Sequence, residues 1–247
     1  MLLRIGVRGS KLALAYAEQV CNELSCDTKV VVIKTAGDLH PDTPIHEIGG
    51  KGVFCSAIEQ SLLNGEVDVA VHSLKDIPGD VDHPLLEIGA VLERNSPYDC
   101  LIGNVFDGFV LGTSSPRRKA QLEKLYANLN VVIKPIRGNI DSRLNKLDNG
   151  EYDAIILAEA GLQALGIERT VTRLPIIPAV GQGIIALQTV KGLMAGDIVK
   201  EINHDLTFRQ AQLERALLKG IGGDCTTKVA AYASGDNPIK LEAEYYD

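Results

Sequence analysis

Val110-Leu-Gly-Thr-Ser-Ser-Pro-Arg-Arg-Lys-Ala-Gln-Leu-Glu-Lys-Leu125 is the stretch whose reading decides the fold. Val110 to Gly112 is a short strand-type run. Ser115 is a residue type that caps helix N-termini, and Pro116 suits the first helical position, where a missing N–H costs nothing. The stretch therefore predicts a strand running straight into a helix that ends near Leu125. Val131 to Ile136 supplies the next strand. Asn139 can cap a helix over 140–149, with Gly150 as its left-handed stop. Ala154 to Leu157 reads as a strand, and Glu159 to Leu165 as a short helix ended by Gly166. This is the β-α-β rhythm of a parallel or mixed sheet covered by helices.

Upstream the same rhythm holds. Leu3 to Val7 is a strand, and Ser10 caps a helix that reaches about Leu24. Lys29 to Ile33 is a strand of β-branched residues. The Gly-rich loop Ile48 to Gly52 precedes a helix over Val53 to Leu63. Val67 to Val71 and Leu86 to Leu92 are further strands. A turn cluster, Asn95-Ser-Pro97, separates this half from the next. Pro178 to Gly183 reads as a segment crossing back, and Ile184 to Leu187 as a strand returning to the first half. Thr207 to Gln210 fits a capping box for a helix reaching Lys219, stopped by Gly220. Val229 to Ala233 and Ile239 to Tyr245 read as a hairpin. The expected architecture is α/β, with one lobe from 1–93 and 184–208, a second from 94–183, and a small third unit over 209–247.

The whole chain has 247 residues, a formal net charge of −7 and 45% hydrophobic residues, an ordinary globular composition that excludes a mainly disordered chain. The acidic balance argues against bulk nucleic-acid or membrane-surface binding. No apolar run is long enough for a transmembrane helix, and residues 1–10 lack the apolar stretch of a signal peptide. The five cysteines (Cys21, Cys26, Cys55, Cys100 and Cys225) are odd in number and widely spaced, which argues against a disulfide framework and a metal site. A reduced, cytoplasmic protein is expected.

The charge is unevenly spread. Residues 111–145 carry a net charge of +5, which leaves −12 on the rest. Arg117 and Arg118 fall in a first helical turn, where the helix dipole disfavours cations unless an anion is bound. Arg137 and Arg143 belong to the next strand end and helix, and such loops converge at the carboxyl edge of an α/β sheet. An anion site and a solvated basic face both remain open on this pattern. Lys75-Asp76 follows the strand ending near Val71; it is a carboxylate available for charge or proton work, or an exposed ion pair. Cys225, after Gly222-Gly-Asp, is a nucleophile, an attachment point or an ordinary loop thiol. Gly49-Gly-Lys-Gly-Val-Phe54 lacks P-loop spacing and reads as a weak phosphate cradle or a loop over a cleft.

Taken in order, Arg4-Ile-Gly-Val-Arg-Gly-Ser-Lys-Leu-Ala13, Gly49 to Phe54, Ala70-Val-His-Ser-Leu-Lys-Asp-Ile-Pro78, Gly112-Thr-Ser-Ser-Pro-Arg-Arg118, Ile136-Arg-Gly-Asn139, Leu144 to Ala158 and Leu174 to Gly183 resemble the porphobilinogen deaminase (hydroxymethylbilane synthase) family. The resemblance runs from residue 4 to about residue 230. It implies two periplasmic-binding-protein-like (type II) lobes with mixed sheets flanking a cleft, and a small third α/β domain. It implies a dipyrromethane cofactor joined by a thioether to Cys225. Four porphobilinogen molecules are then condensed head to tail with loss of ammonia, and hydroxymethylbilane is released by hydrolysis.

By the same resemblance, Arg8, Arg117, Arg118, Arg137 and Arg143 match carboxylate-binding arginines. Ser10, Lys75, Thr113, Ser114 and Ser115 match supporting contacts, and Lys51 lies in the loop over the cleft. Asp76 matches the carboxylate that faces the pyrrole N–H groups while an azafulvene is attacked and positive charge builds on nitrogen. Charged forks suit such a ligand, because each pyrrole carries an acetate and a propionate. The chain departs from the family at Ala164, where an arginine is common, and in a short third domain. A monomer is expected by resemblance, with a dimer through the short third domain left open. A non-catalytic anion binder on the same fold and an inactive family member are the competing readings.

Overall fold

Leu3, Ile5 and Val7 alternate along β1 (Leu2–Arg8), and all three are fully buried. Each such side chain contributes about 1.5–3 kcal/mol of burial. The computed structural model describes residues 1–39, 52–79, 83–222 and 227–246. Ser10 ends the turn after β1 and caps α1 (Lys11–Glu23), its hydroxyl accepting from the Ala13 N–H at 3.2 Å. The first half continues through β2 (Asp27–Ile33), α2 (Ala36–Leu39), α3 (Ser56–Leu63), β3 (Val69–Ser73) and β4 (Leu86–Val91). The second half holds β5 (Asp99–Gly103), β6 (Val110–Gly112), α4 (Pro116–Leu125), β7 (Val132–Lys134), α5 (Ile140–Asp148), β8 (Ala154–Ala158), α6 (Glu159–Ala164) and β9 (Thr172–Arg173). The chain then runs through β10 (Ile185–Val190), α7 (Met194–Lys200), α8 (Asp205–Gly220), β11 (Val229–Ser234) and β12 (Lys240–Tyr245).

The strands form two five-stranded mixed sheets and a hairpin. The first sheet has the order β2-β1-β3-β10-β4, with β1 parallel to β2 and β3, and β10 antiparallel to β3 and β4. The second has the order β7-β6-β8-β5-β9, with β6 parallel to β7 and β8, and β5 antiparallel to β8 and β9. The two sheets thus share one topology without sharing sequence. In each, the antiparallel strand is the one that follows a crossing between the halves. Two covered mixed sheets plus a smaller third piece make the periplasmic-binding-protein-like plan that the resemblance implies.

The crossing segments run side by side. The Asn95 N–H donates to the Gly183 carbonyl at 2.8 Å. Gly183 has φ +82°, and a Cβ there would lie 2.6 Å from the Asn95 carbonyl oxygen, so only glycine fits. Arg94 and Glu214 lock the junction. Arg94 Nη1 is 2.6 Å from Glu214 Oε1, and the same carboxylate accepts from the Gly181 and Ala233 N–H groups. One buried ion pair therefore joins both crossings to α8 and β11. α8 also covers one side of the hairpin, where Leu218 packs with Val180, Val229 and Ala231, while β12 stays exposed along its length.

Several boundaries differ from expectation. Strand β3 continues to Ser73, which carries Lys75-Asp76 into a single 3-10 turn, Leu74–Asp76. Strands β5 and β9 and helices α2 and α7 carry too little periodicity to be read from sequence. Thr207 does not open a capping box. His204 caps α8, its Nδ1 accepting from the Thr207 N–H, so Thr207 sits inside the first turn. Gly220 remains helical, and the left-handed residue is Gly222. Asn139 occupies the cap position of α5 but makes no side-chain cap bond. Ser115 does cap α4, accepting from the Arg118 N–H at 3.3 Å, with Pro116 first in the helix.

Candidate active site

The carboxyl ends of β1 and β3 lie on one edge, because the two strands run parallel with Gly6 opposite Ala70. That edge brings Arg8 and the Leu74–Asp76 turn together. Arg8 Nη1 lies 4.0 Å from Asp76 Oδ2. Its remaining donors grip Asp38, with Nη2 at 2.6 Å from Oδ1 and Nε at 3.2 Å from Oδ2, and its guanidinium lies 4.1 Å from the Phe54 ring centroid. Thr35 donates to Asp38 at 2.7 Å, and the two partners hold the Asp38 carboxyl below its usual range against the opposing effect of burial. The Cys55 thiol lies 3.2 Å from the Asp76 carbonyl oxygen and anchors the turn. Arg8, Ser10, Tyr16, Phe54, Ser73 and Asp76 line a small cavity of about 40 Å³ that opens to solvent.

The opposite wall is built from the carboxyl ends of β6 and β7. Arg117 and Arg118 emerge there from the first turn of α4, both buried. They do not offer free forks. Asp99, fully buried at the start of β5, lies between them: Arg117 Nη2 is 2.7 Å from Oδ2 and Arg118 Nη2 is 2.7 Å from Oδ1. Burial alone raises the Asp99 proton affinity; the two guanidiniums override it and hold the carboxyl far below its ordinary range. Gln182 from the returning crossing donates to the same carboxylate at 3.0 Å. Arg117 also donates to the Ile177 carbonyl, and Arg118 to that of Ile156.

The three hydroxyls beside them shape the loop. Thr113 Oγ1 accepts from the Ser115 N–H, and the Ser114 hydroxyl both donates to and accepts from the Ile136 backbone, tying the ends of β6 and β7. Ile136 leads into Arg137 and, through the left-handed Gly138, to α5 and Arg143.

A cationic surplus remains. Burial pushes the Lys75 ammonium down to about 8, and Arg118 and Arg117 add to that while Asp76 and Asp99 oppose it. Arg143 is pushed down to about 10 by burial first, then by Arg118 and Arg137. Its Nε donates to the Gly138 carbonyl at 2.8 Å. Asp76 and Asp99 are two carboxylates against Lys75, Arg117, Arg118 and Arg143, so the cluster is built to meet further negative charge. Lys51 and Cys225 fall outside the described residues.

Comparison with known proteins gives this cluster a context. Residues 3–195 match the family described as "Porphobilinogen deaminase, dipyromethane cofactor binding domain". The chain is 42% identical to a probable porphobilinogen deaminase of Archaeoglobus fulgidus, over all of this chain and 89% of that one. The chain belongs to the porphobilinogen deaminase family. A second probable porphobilinogen deaminase of the family, from Methanocella arvoryzae, is 44% identical over 94% of this chain and 80% of its own. The porphobilinogen deaminase of Orientia tsutsugamushi is 38% identical over 99% and 87%. Among solved structures, a substrate-binding domain of a putative amino acid ABC transporter from Streptococcus pneumoniae is 12% identical, covers 90% of this chain and 95% of its own, and has a TM-score of 0.48.

Within this deaminase-family chain, Ala164 stands on α6 and packs against the apolar cluster of α1 that holds Tyr16, so no cation forms that part of the wall. Asp38, Asp99 and Tyr16 are parts of the site that sequence reasoning missed. Asp99 had a faint signal, a lone carboxylate opening the apolar run Cys100-Leu-Ile102. Asp38 had none, because its partner Arg8 is thirty positions away.

His72 sits beside this wall at 5% exposure, and its Nε2 has no hydrogen-bond partner among the described residues. Burial, with a smaller contribution from Arg8, pushes its ring down to about 4, against an opposing effect of Gln188. The folded pKa lies below the unfolded value, so as pH falls through about 6.5 the unfolded chain gains the proton first and stability drops until about pH 4. The depression predicts a loss of about 3 kcal/mol across that window. Denaturant unfolding at pH 7, 5.5 and 4 should show this loss in the parent chain and not in His72→Phe. Equal pH slopes in the two proteins would remove His72 as its source.

Proposed function

We propose that this chain has the activity of its family, hydroxymethylbilane synthesis, in which four porphobilinogen molecules are condensed head to tail with loss of ammonia. The observation that carries the reading is the cluster of Lys75, Arg117, Arg118 and Arg143, four cations set against two carboxylates, Asp99 and the half-buried Asp76. Every pyrrole of the growing chain brings two carboxylates, and charge-assisted contacts of this kind are each worth about 1.5–3 kcal/mol.

The same donor set fits a dipyrromethane group, whose own carboxylates need neutralising in a half-buried site. When bound through Cys225, that group supplies the free pyrrole carbon at which the chain grows. Lys75, Arg137 and Arg143 would hold its carboxylates directly. Arg117 and Arg118, fixed by Asp99, would present their remaining N–H groups and their field. Thr113, Ser114 and Ser115 would keep the two strand ends at fixed spacing. On the opposite wall, Arg8 and Ser10 would orient the incoming pyrrole against Asp76. Asp76 stabilises positive charge on the pyrrole nitrogen as ammonia departs, and can take up and return a proton there. Lys51 would act from the loop over the cleft. The division into two lobes and a small C-terminal unit, a monomeric state and a cytoplasmic setting belong to the same proposal. No helix among the described residues is long and apolar enough to cross a membrane.

Intact mass after expression with ample porphobilinogen tests the reading. The expected result is a mass excess equal to one dipyrromethane, absent from Cys225→Ser. An unmodified parent chain that consumes no porphobilinogen would sink it.

A further inference from the structure

Tyr16 lies on the face of α1 that Leu12 and Ala13 share, in the second turn after the Ser10 cap, and only 6% of it is exposed. A buried phenol usually finds a protein partner for its hydroxyl. Here none exists among the described residues, and the side chain lines the cavity that also holds Arg8, Ser10 and Asp76. The ring is fixed by the apolar cluster around Leu3, Ile5 and Val20, so the hydroxyl is aimed rather than mobile. Burial first, and then the negative charge of Asp76, push the phenol up to about 12. It is therefore a permanent neutral donor at any working pH.

We propose that Tyr16 is a specificity-determining contact of this site, donating its phenolic proton to a side-chain carboxylate of the bound pyrrole. This rests on the activity proposed above. The chemistry favours a phenol at this place. Arg8 is already committed to Asp38 and stacked on Phe54, which limits what it can give a ligand. Another cation beside Asp76 would compete for the carboxylate that the reaction needs. A neutral hydroxyl adds a hydrogen bond to the ligand and leaves the charge balance at Asp76 unchanged.

Tyr16→Phe removes the oxygen and keeps the ring. The expected result is a KM for porphobilinogen raised about tenfold, the size of one hydrogen bond to a charged group, with kcat within twofold and the same pH profile. The melting temperature should not move, because the hydroxyl bonds to nothing in the described protein. An unchanged KM would overturn the proposal. So would a lowered kcat with a shifted pH profile, which would make Tyr16 a positioning residue for Asp76 instead. A parent chain without turnover refutes the activity itself, an outcome distinct from either.

Discussion

Asp76→Asn should lower the rate of porphobilinogen consumption by about 10²–10⁴-fold, the usual yield of a positioned proton donor or of an electrostatic contact to a developing charge. The substitution keeps the shape of the side chain and removes only its charge. Little else should change. Among the described residues the only ion pair of Asp76 is the 4.0 Å contact with Arg8, and its side chain is 33% exposed, a setting in which such pairs contribute about 0–1 kcal/mol. The turn itself is held by other groups: the Cys55 thiol at the Asp76 carbonyl, and Arg215, which donates to the Ile77 and Pro78 carbonyls. The variant should therefore melt with the parent chain while turning over far more slowly. Steady-state rates with thermal melts decide it, and a kcat within about threefold of the parent would remove Asp76 from the chemistry.

Glu214→Gln should cause the largest loss of stability. Glu214 is fully buried, and its two oxygens meet four N–H groups, from Arg94 twice, Gly181 and Ala233. The amide keeps the volume but turns one acceptor into a donor that faces a donor, and leaves Arg94 buried without a counter-charge. Breaking a buried pair in this way costs about 3–5 kcal/mol. For a chain of this size that is a fall in melting temperature of roughly 10 °C. Thermal melts of the two proteins check it; a shift under about 2 °C would mean that the junction relaxes around the loss. The contrast with Asp76 is instructive. The half-buried carboxylate is expected to matter for rate and the fully buried one for folding.

The fold was legible where periodicity and caps agree. Ser10 and Ser115 mark helix starts that the structure reproduces at the atom level, and the βα alternation led directly to two covered sheets. It was not legible where an element is short or buried on all sides. β5 opens with a carboxylate that sequence reasoning has no cause to place inside a sheet. It is stable there only because two arginines from α4, nineteen positions or fewer away, arrive in space. Arg117 and Arg118 were identifiable as site residues, but their internal partner was not, because pairing is a property of the folded arrangement. The same holds for Arg8 with Asp38. His204 was missed as a cap since Thr207 offered the more familiar pattern three residues later.

The placement of β10 has a consequence for how the chain is made. This strand lies between β3 and β4, inside the first sheet, yet it is synthesised after every strand of the second sheet. A ribosome that has released residues 1–180 has delivered all five strands of the second sheet and only four of the first, with a gap between β3 and the edge strand β4. The second half can close while the first still waits with unpaired strand edges at β3 and β4. The order of assembly is then the reverse of the order of translation. During that interval the nascent first half is the part most exposed to wrong strand pairing, and the part for which a chaperone would matter most.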